Sequence, residues 1–120
     1  ECEKKLLGGY SLAGLFSLWT GYKTGAFCGI NAASPSVWFP GWREFAAEHE
    51  PRAKCFYLSL GDREERTRNP VMSAVGDRLR EQRRLLEGKS VATLEWNEGN
   101  HFRDSEKRTA RGFSWLMENC

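Results

Sequence analysis

The sequence predicts a three-layer α/β fold, in which about four parallel strands carry helices on both faces. Short apolar runs of strand length alternate along the chain with longer segments whose apolar residues have helical spacing. Glycine-rich and polar stretches follow the predicted strands, at the sheet edge where ligands bind in open parallel sheets. With 120 residues, 40% of them hydrophobic, the chain has the length and apolar content of a single domain over residues 1–120.

Four strands are predicted from apolar runs that lie between turn-forming residues. The third is the clearest, because an apolar run ends there directly before the polar loop that starts with Gly61 and Asp62. The predicted strands cover residues 4–9, 26–33, 54–60 and 90–96. Because a helix follows each strand, successive strands are expected to run parallel.

Four helices are predicted, over residues 12–22, 42–48, 71–86 and 106–118. The third has the strongest amphipathic spacing, which runs from Val71 through Val75 and Leu79 to Leu86. Pro70 is suited to the first turn of this helix. Basic and acidic residues alternate on its polar side, which favours a solvated outer face over a nucleic-acid surface. The arginines of the disfavoured alternative are Arg78, Arg80, Arg83 and Arg84.

Charge and hydropathy exclude several classes of partner. The formal net charge is only +2, so no strong field favours nucleic acid or an acidic membrane. No apolar stretch has the length of a membrane span, and the charged N-terminus lacks the apolar segment of a signal peptide. We therefore expect a cytoplasmic protein with no nucleic-acid or membrane partner.

The cysteines are expected to be reduced thiols rather than metal ligands. Cys2, Cys28, Cys55 and Cys120 are widely spaced and form no CxxC pair. Without a secretory signal, disulfides are not expected. Cys28 and Cys55 each lie five or six residues before the end of a predicted strand. If those strands are neighbours, the two Cα atoms are expected to lie close together.

The most informative segment is the turn around Ser11. Gly9 precedes this serine by two residues and Ala13 follows it by two, between a predicted strand and a predicted helix. This is the layout of a nucleophile elbow, in which small flanking residues let strand and helix approach closely. The alternative is an ordinary glycine-rich turn in which Ser11 only caps the helix.

An acid and a histidine occur in later loops of the same kind. His101 follows the fourth predicted strand, and acidic residues follow the third. All of these loops, with Ser11, should lie at one edge of the sheet. Glu64 is the favoured acid and Asp62 the alternative, whereas Glu65 is expected to be a solvated charge. The other histidine of the chain, His49, lies between two glutamates and is expected at the surface.

These residues predict the roles of a serine hydrolase. His101 would take the proton from Ser11 during attack on an ester carbonyl and return it to the leaving alcohol. The backbone N–H of Leu12, directly after the nucleophile, would donate to the oxyanion. Tyr10 and Trp38 are expected to line the substrate pocket. Phe39 and Trp42 share the aromatic run of Trp38, although such a run after a strand more often belongs to the core.

Three segments resemble the C-terminal half of an esterase family among the α/β hydrolases, which includes enterochelin esterases and esterase D. They are Gly-Tyr-Ser-Leu-Ala-Gly at 9–14, Phe-Tyr-Leu-Ser-Leu-Gly-Asp-Arg-Glu-Glu at 56–65 and Gly-Asn-His-Phe at 99–102. The resemblance implies a partial α/β-hydrolase fold and hydrolysis of a small carboxylic ester without a metal or organic cofactor. It implies Ser11 as nucleophile, His101 as base and an acid at or near Glu64.

The sequence departs from this family in one respect. Family members carry about another half-domain before the elbow, including a loop that supplies the second oxyanion donor. Without it the elbow strand would be an edge strand, which invites pairing with a second copy of the chain. Loss of one oxyanion donor typically costs about two to three orders of magnitude in rate. Two hypotheses therefore remain, a serine esterase and an inert fragment that acts as a dimerisation or interaction module.

Overall fold

A four-stranded parallel sheet forms the centre of the computed structural model, which describes residues 4–120. The strands are β1 (Leu6–Tyr10), β2 (Gly29–Ala33), β3 (Cys55–Gly61) and β4 (Val91–Asn97). Their spatial order is the same as their order along the chain, and every neighbouring pair is parallel. The C-terminal ends of all four strands therefore lie at one edge of the sheet.

Helices cover both faces of this sheet, which confirms the predicted three-layer α/β fold. The helices are α1 (Leu12–Lys23), α2 (Trp42–Glu48), α3 (Val75–Leu86) and α4 (Ser105–Asn119). On one face α1 packs against β1 and β2, α3 packs against β3 and β4, and α2 packs against α3. On the other face α4 packs against β1, β2 and β3.

The alternation of side chains along β3 fills both interfaces. Phe56 and Leu58 point into the larger core cluster, together with Leu18 and Leu79 from the helices on that side. Tyr57 points the opposite way and packs in the smaller cluster beneath α4. Because both faces of a central parallel strand are buried, β3 is apolar along nearly its whole length.

The largest differences between predicted and observed boundaries, three residues or more, occur at the start of α3 and the start of β2. The helix predicted from residue 71 begins at Val75, because Met72–Ala74 form a separate 3-10 turn. The side-chain oxygen of Asn69 accepts the backbone N–H groups of Val71 and Met72, at 2.9 and 3.2 Å, and so holds a turn there. The second strand begins at Gly29 rather than at Ala26. The Ala26 N–H donates to the side-chain oxygen of Thr24 at 3.1 Å, in the bend before the strand.

Cys28 and Cys55 lie on neighbouring segments of the sheet, as expected from the sequence. Cys28 precedes the first residue of β2, and its carbonyl accepts the backbone N–H of Cys55 at 3.0 Å. Strands β2 and β3 are therefore neighbours, as predicted. Cys2 lies outside the described residues. Within residues 4–120, none of the helices is both long and apolar enough to cross a membrane.

Candidate active site

Ser11 occupies a strained turn between β1 and α1. Its φ and ψ are 63° and −121°, a conformation that a residue with a side chain rarely adopts. The Ser11 N–H donates to the carbonyl of Ala33 at 3.0 Å, and the Ser11 carbonyl accepts the N–H of Leu15 at 3.1 Å and of Ser36 at 3.2 Å. These bonds fix the backbone of the turn against the end of β2.

Gly9 permits the close approach of strand and helix that this turn requires. A Cβ atom at Gly9 would lie 2.6 Å from the backbone and from the Cβ of Ala13. Such a distance is far below van der Waals contact. A glycine is therefore needed at position 9 for steric reasons.

A chain of two hydrogen bonds connects three loops at the C-terminal edge of the sheet. The Nε2 atom of His101 lies 3.0 Å from the Oγ of Ser11. The Nδ1 atom of the same ring lies 2.8 Å from Oε1 of Glu64. The serine, histidine and favoured acid of the sequence analysis thus lie in direct contact, with each imidazole nitrogen facing the group its proposed role requires.

The second carboxylate oxygen of Glu64 is held by three donors. Oε2 accepts the N–H of Gly61 at 2.7 Å, the hydroxyl of Ser34, and the guanidinium of Arg108 at 3.2 Å. Burial by itself raises the pKa of the Glu64 carboxyl. Hydrogen bonds from His101, Ser34 and the Gly61 N–H outweigh burial and hold that pKa below its usual value. The carboxylate is therefore ionised at neutral pH.

The other two acids of this loop lie elsewhere. An oxygen of Asp62 accepts the N–H of Gly99 at 3.0 Å, and the Asp62 side chain is 54% exposed. Glu65 forms an ion pair with Arg80 at 3.1 Å. Glu64 begins a 3-10 turn after β3, and this turn directs its side chain inward. The structure brings Glu64, and not Asp62, to His101.

A cavity of about 300 Å³ opens beside Ser11 and His101. Trp38 lines it, as expected from the sequence. Its remaining apolar wall includes Met72, Val75 and Phe102. The cavity has the size and mixed lining of a small-molecule site.

Tyr10 does not line this cavity, contrary to the expectation for a pocket residue. Side chains alternate along β1, so Tyr10 projects to the α4 face, where it lies beside Ser105 and Thr109. Its hydroxyl donates to the carbonyl oxygen of His101. Tyr10 therefore contacts the backbone of the histidine loop.

The two other aromatic residues near Trp38 have different surroundings. Trp42 is buried in the core, and its indole N–H donates to Gln82 at 2.9 Å. Phe39 is 45% exposed and lines an apolar groove on the outer side of α1. Neither residue lines the cavity beside Ser11.

Leu12 is the first residue of α1, directly after the serine. The first N–H groups of a helix have no acceptor within the helix, and they carry its positive dipole end. The Leu12 N–H is thus available for an oxygen that develops negative charge beside Ser11.

Sequence reasoning missed two residues of this site. Ser34 directly follows β2, so its position after a strand end was a usable signal. Arg108 lies in α4 among other charged residues, and nothing in the local sequence distinguishes it from solvated arginines. Only the packing of α4 brings it beneath Glu64, where its side chain is 3% exposed.

The fold is a parallel α/β sheet with a serine turn directly after its first strand. Neither a protein-family model nor a curated protein sequence matches the chain. Solved structures of esterases do match it. Siderophore hydrolase EstB from Aspergillus nidulans has a TM-score of 0.76 and 22% identity, over 97% of this chain and 50% of EstB.

Two further esterase structures show the same similarity of fold. The enterobactin esterase FES from Shigella flexneri has a TM-score of 0.74 and 20% identity, over 94% of this chain and 31% of FES. Siderophore hydrolase EstA from Aspergillus nidulans has a TM-score of 0.69 and 23% identity, over 97% of this chain and 49% of EstA. The chain thus spans half or less of each of these three proteins, and the predicted resemblance is confirmed for the fold.

Proposed function

We propose that this chain carries the catalytic centre of a serine carboxylic-ester hydrolase, with Ser11 as nucleophile, His101 as base and Glu64 as acid. The observation that carries the proposal is the continuous hydrogen-bonded chain from Ser11 Oγ through both ring nitrogens of His101 to Glu64 Oε1, at 3.0 and 2.8 Å. A serine held at positive φ, a histidine and a buried carboxylate in this arrangement are the components of a serine-hydrolase triad.

The proposed reaction proceeds through an acyl-enzyme. Nε2 of His101 takes the Ser11 proton as Oγ bonds to the ester carbonyl carbon, and the carbonyl electrons move to its oxygen. Collapse of this tetrahedral species expels the alcohol, which receives the proton from His101. A water molecule then attacks the acyl group by the same steps and releases the carboxylic acid. Glu64 holds the tautomer with the proton on Nδ1 and stabilises the imidazolium.

The Leu12 N–H is the oxyanion donor of this proposal. As the first residue of α1 it offers both a hydrogen bond and the positive end of the helix to the carbonyl oxygen. Neither a metal ion nor an organic cofactor has a role in these steps. The substrate is a small ester whose acyl or alcohol portion occupies the cavity lined by Trp38. The names of the similar structures, two siderophore hydrolases and an enterobactin esterase, support ester cleavage as the reaction class.

Covalent labelling by a fluorophosphonate tests the proposal. The wild-type chain is expected to gain one phosphonyl adduct, located on Ser11 by peptide mass spectrometry, and Ser11→Ala is expected to gain none. Ser114 is an exposed serine of α4, so Ser114→Ala is the matched control and should react at the wild-type rate. A folded wild-type sample that remains unlabelled, while EstB reacts in parallel, would exclude the hydrolase function for this chain.

The second candidate function is that of an inert interaction module that dimerises through β1. Strand β1 is at the edge of the sheet, so its outer backbone groups are available to another strand. Next to this edge, Phe16 and Trp19 of α1 are 58% and 41% exposed. A two-fold axis beside β1 would join two sheets into one and cover these aromatic residues.

Sedimentation distinguishes the oligomeric states. At micromolar concentration we expect a dimer, which Phe16→Lys weakens by placing a charge at the interface. A wild-type chain that sediments as a monomer would refute pairing through β1.

A cytoplasmic location also remains part of the proposal, because a reducing compartment would maintain thiols such as those of Cys55 and Cys120.

A further inference from the structure

Arg108 connects the C-terminal ends of all four strands through one buried side chain. Its Nη1 donates to the hydroxyl of Tyr10 at the end of β1, at 2.9 Å, and its Nη2 donates to the hydroxyl of Ser34 directly after β2. The same Nη2 lies 3.2 Å from Oε2 of Glu64 after β3. Its Nε lies 3.1 Å from Oδ1 of Asn97, the last residue of β4. The side chain is only 3% exposed.

Two routes lead from this guanidinium to His101. Through Glu64 it reaches the imidazole ring, since Oε2 faces Arg108 while Oε1 faces Nδ1 of His101. Through Tyr10 it reaches the backbone of the same residue, since the Tyr10 hydroxyl accepts from Arg108 and donates to the His101 carbonyl. Arg108 also donates to the carbonyls of Asn100 and Arg103, at 3.4 and 3.3 Å, on either side of His101.

From this arrangement we infer that Arg108 is the positioning residue of the site: it orients the Glu64 carboxylate and the His101 loop so that the imidazole faces Ser11. The inference rests on the proposed hydrolase function for its catalytic consequence. Arg108 touches neither Ser11 nor the cavity beside it in any contact of the described residues. Its effect on reactivity is therefore transmitted through Glu64, Tyr10 and the histidine loop.

The chemistry of the side chain explains why arginine suits this position. A guanidinium is planar and has five N–H donors in fixed directions, which match acceptors on several sides of the buried site. Lysine places three donors on one nitrogen and cannot reach Asn97, Glu64 and Tyr10 together. Arg108→Lys thus retains the positive charge near Glu64 but loses the fixed geometry.

The first measurement is the rate of fluorophosphonate labelling for each folded variant. A misplacement of about 1 Å in a catalytic group can cost about 10²-fold in rate. We expect a loss of this order for Arg108→Lys. Arg111 lies one turn further along α4, and its side chain is 59% exposed. Arg111→Lys is the matched control and should label at the wild-type rate.

The second measurement reports on positioning without any reaction. The Nδ1 proton of His101, hydrogen-bonded to Glu64, should give a downfield imidazole resonance in the NMR spectrum. The resonance is assigned to this proton if it disappears in Glu64→Ala. We expect Arg108→Lys to shift or broaden this resonance, and Arg111→Lys to leave it unchanged. A role for Arg108 in stability alone would lower the midpoint of urea unfolding but leave the resonance and the labelling rate of the folded protein unchanged. That result would overturn the inference.

A milder variant keeps the test decisive if Arg108→Lys does not fold. Asn97→Ala removes only the acceptor of the Arg108 Nε and leaves the charge in place. It should shift the same resonance and slow labelling several-fold, and wild-type behaviour in both measurements would overturn the inference. If the wild-type chain does not label but the resonance responds to Arg108→Lys, the proposed function fails and the positioning role stands.

Discussion

Replacement of Glu64 by glutamine tests whether Glu64 holds His101 in the tautomer that can accept the Ser11 proton. Three donors converge on Oε2, namely the Gly61 N–H, the Ser34 hydroxyl and the Arg108 guanidinium. In Glu64→Gln the amide oxygen is expected to take this position, because the amide nitrogen accepts no hydrogen bond. The NH₂ group then faces Nδ1 of His101 and forces the proton onto Nε2. In that tautomer the imidazole cannot accept the Ser11 proton.

The size of the effect follows from the loss of the base. In a serine protease with a Ser-His-Asp triad, replacing the triad aspartate by asparagine lowers kcat by a factor of about 10⁴. Each factor of ten corresponds to about 1.4 kcal/mol, so a loss of this size is about 5.5 kcal/mol of transition-state stabilisation. Glu64→Gln also leaves the Arg108 charge buried without its carboxylate, which typically costs about 3–5 kcal/mol of folding stability.

Labelling rates must therefore be compared for the folded fraction, which urea unfolding and near-ultraviolet circular dichroism determine. We expect Glu64→Gln to react about 10⁴-fold more slowly than the wild type. Asp62→Asn, at the alternative acid, is the matched control and should stay within a few-fold of it, because Asp62 is largely exposed and bonds to Gly99. If Asp62→Asn lost reactivity and Glu64→Gln retained it, the assignment of the acid would be wrong.

Two further predictions concern stability. Gly9→Ala should lower the free energy of unfolding by about 1–3 kcal/mol, since the new Cβ would lie 2.6 Å from Ala13. Gly25→Ala is the control in urea unfolding, because the nearest atom to its new Cβ is 3.8 Å away. Equal losses of stability in the two variants would refute the steric argument. The folded-state pKa of Glu64 lies below its usual value of 4.5. Its stabilising contribution is therefore complete above that pH and lost as the pH falls through the folded pKa. Urea midpoints should fall with acid more steeply in the wild type than in Glu64→Gln, and parallel curves would contradict this.

Much of the site was predictable because its residues follow strand ends. Ser11, Glu64 and His101 each lie in a loop after a predicted strand, and parallel strands place such loops at one edge of the sheet. Small residues on both sides of Ser11 indicated the close strand–helix approach that the structure shows at Gly9. The sequence favours Glu64 but leaves Asp62 as an alternative, since the choice depends on how a short 3-10 turn directs its side chains.

Two features differ from the sequence-based predictions because of local backbone geometry. Helix α3 starts at Val75 because Met72–Ala74 form a separate 3-10 turn, which has nearly the same hydrophobic spacing as an α-helix. Tyr10 was expected in the pocket, but the pleat of β1 directs it to the other face of the sheet. In both cases local backbone geometry determines the structure, and the spacing of hydrophobic residues does not predict that geometry.

By itself the sequence determined the α/β class, the order of the elements and the strand-end positions of the three principal site residues, because period, turn chemistry and chain order are local properties. Only the tertiary structure decided which carboxylate meets His101 and assigned Arg108 a place beneath it. A buried guanidinium with partners at four strand ends has no local signature. Its position follows from the packing of α4 against the sheet, which brings residue 108 next to residues 10, 34, 64 and 97.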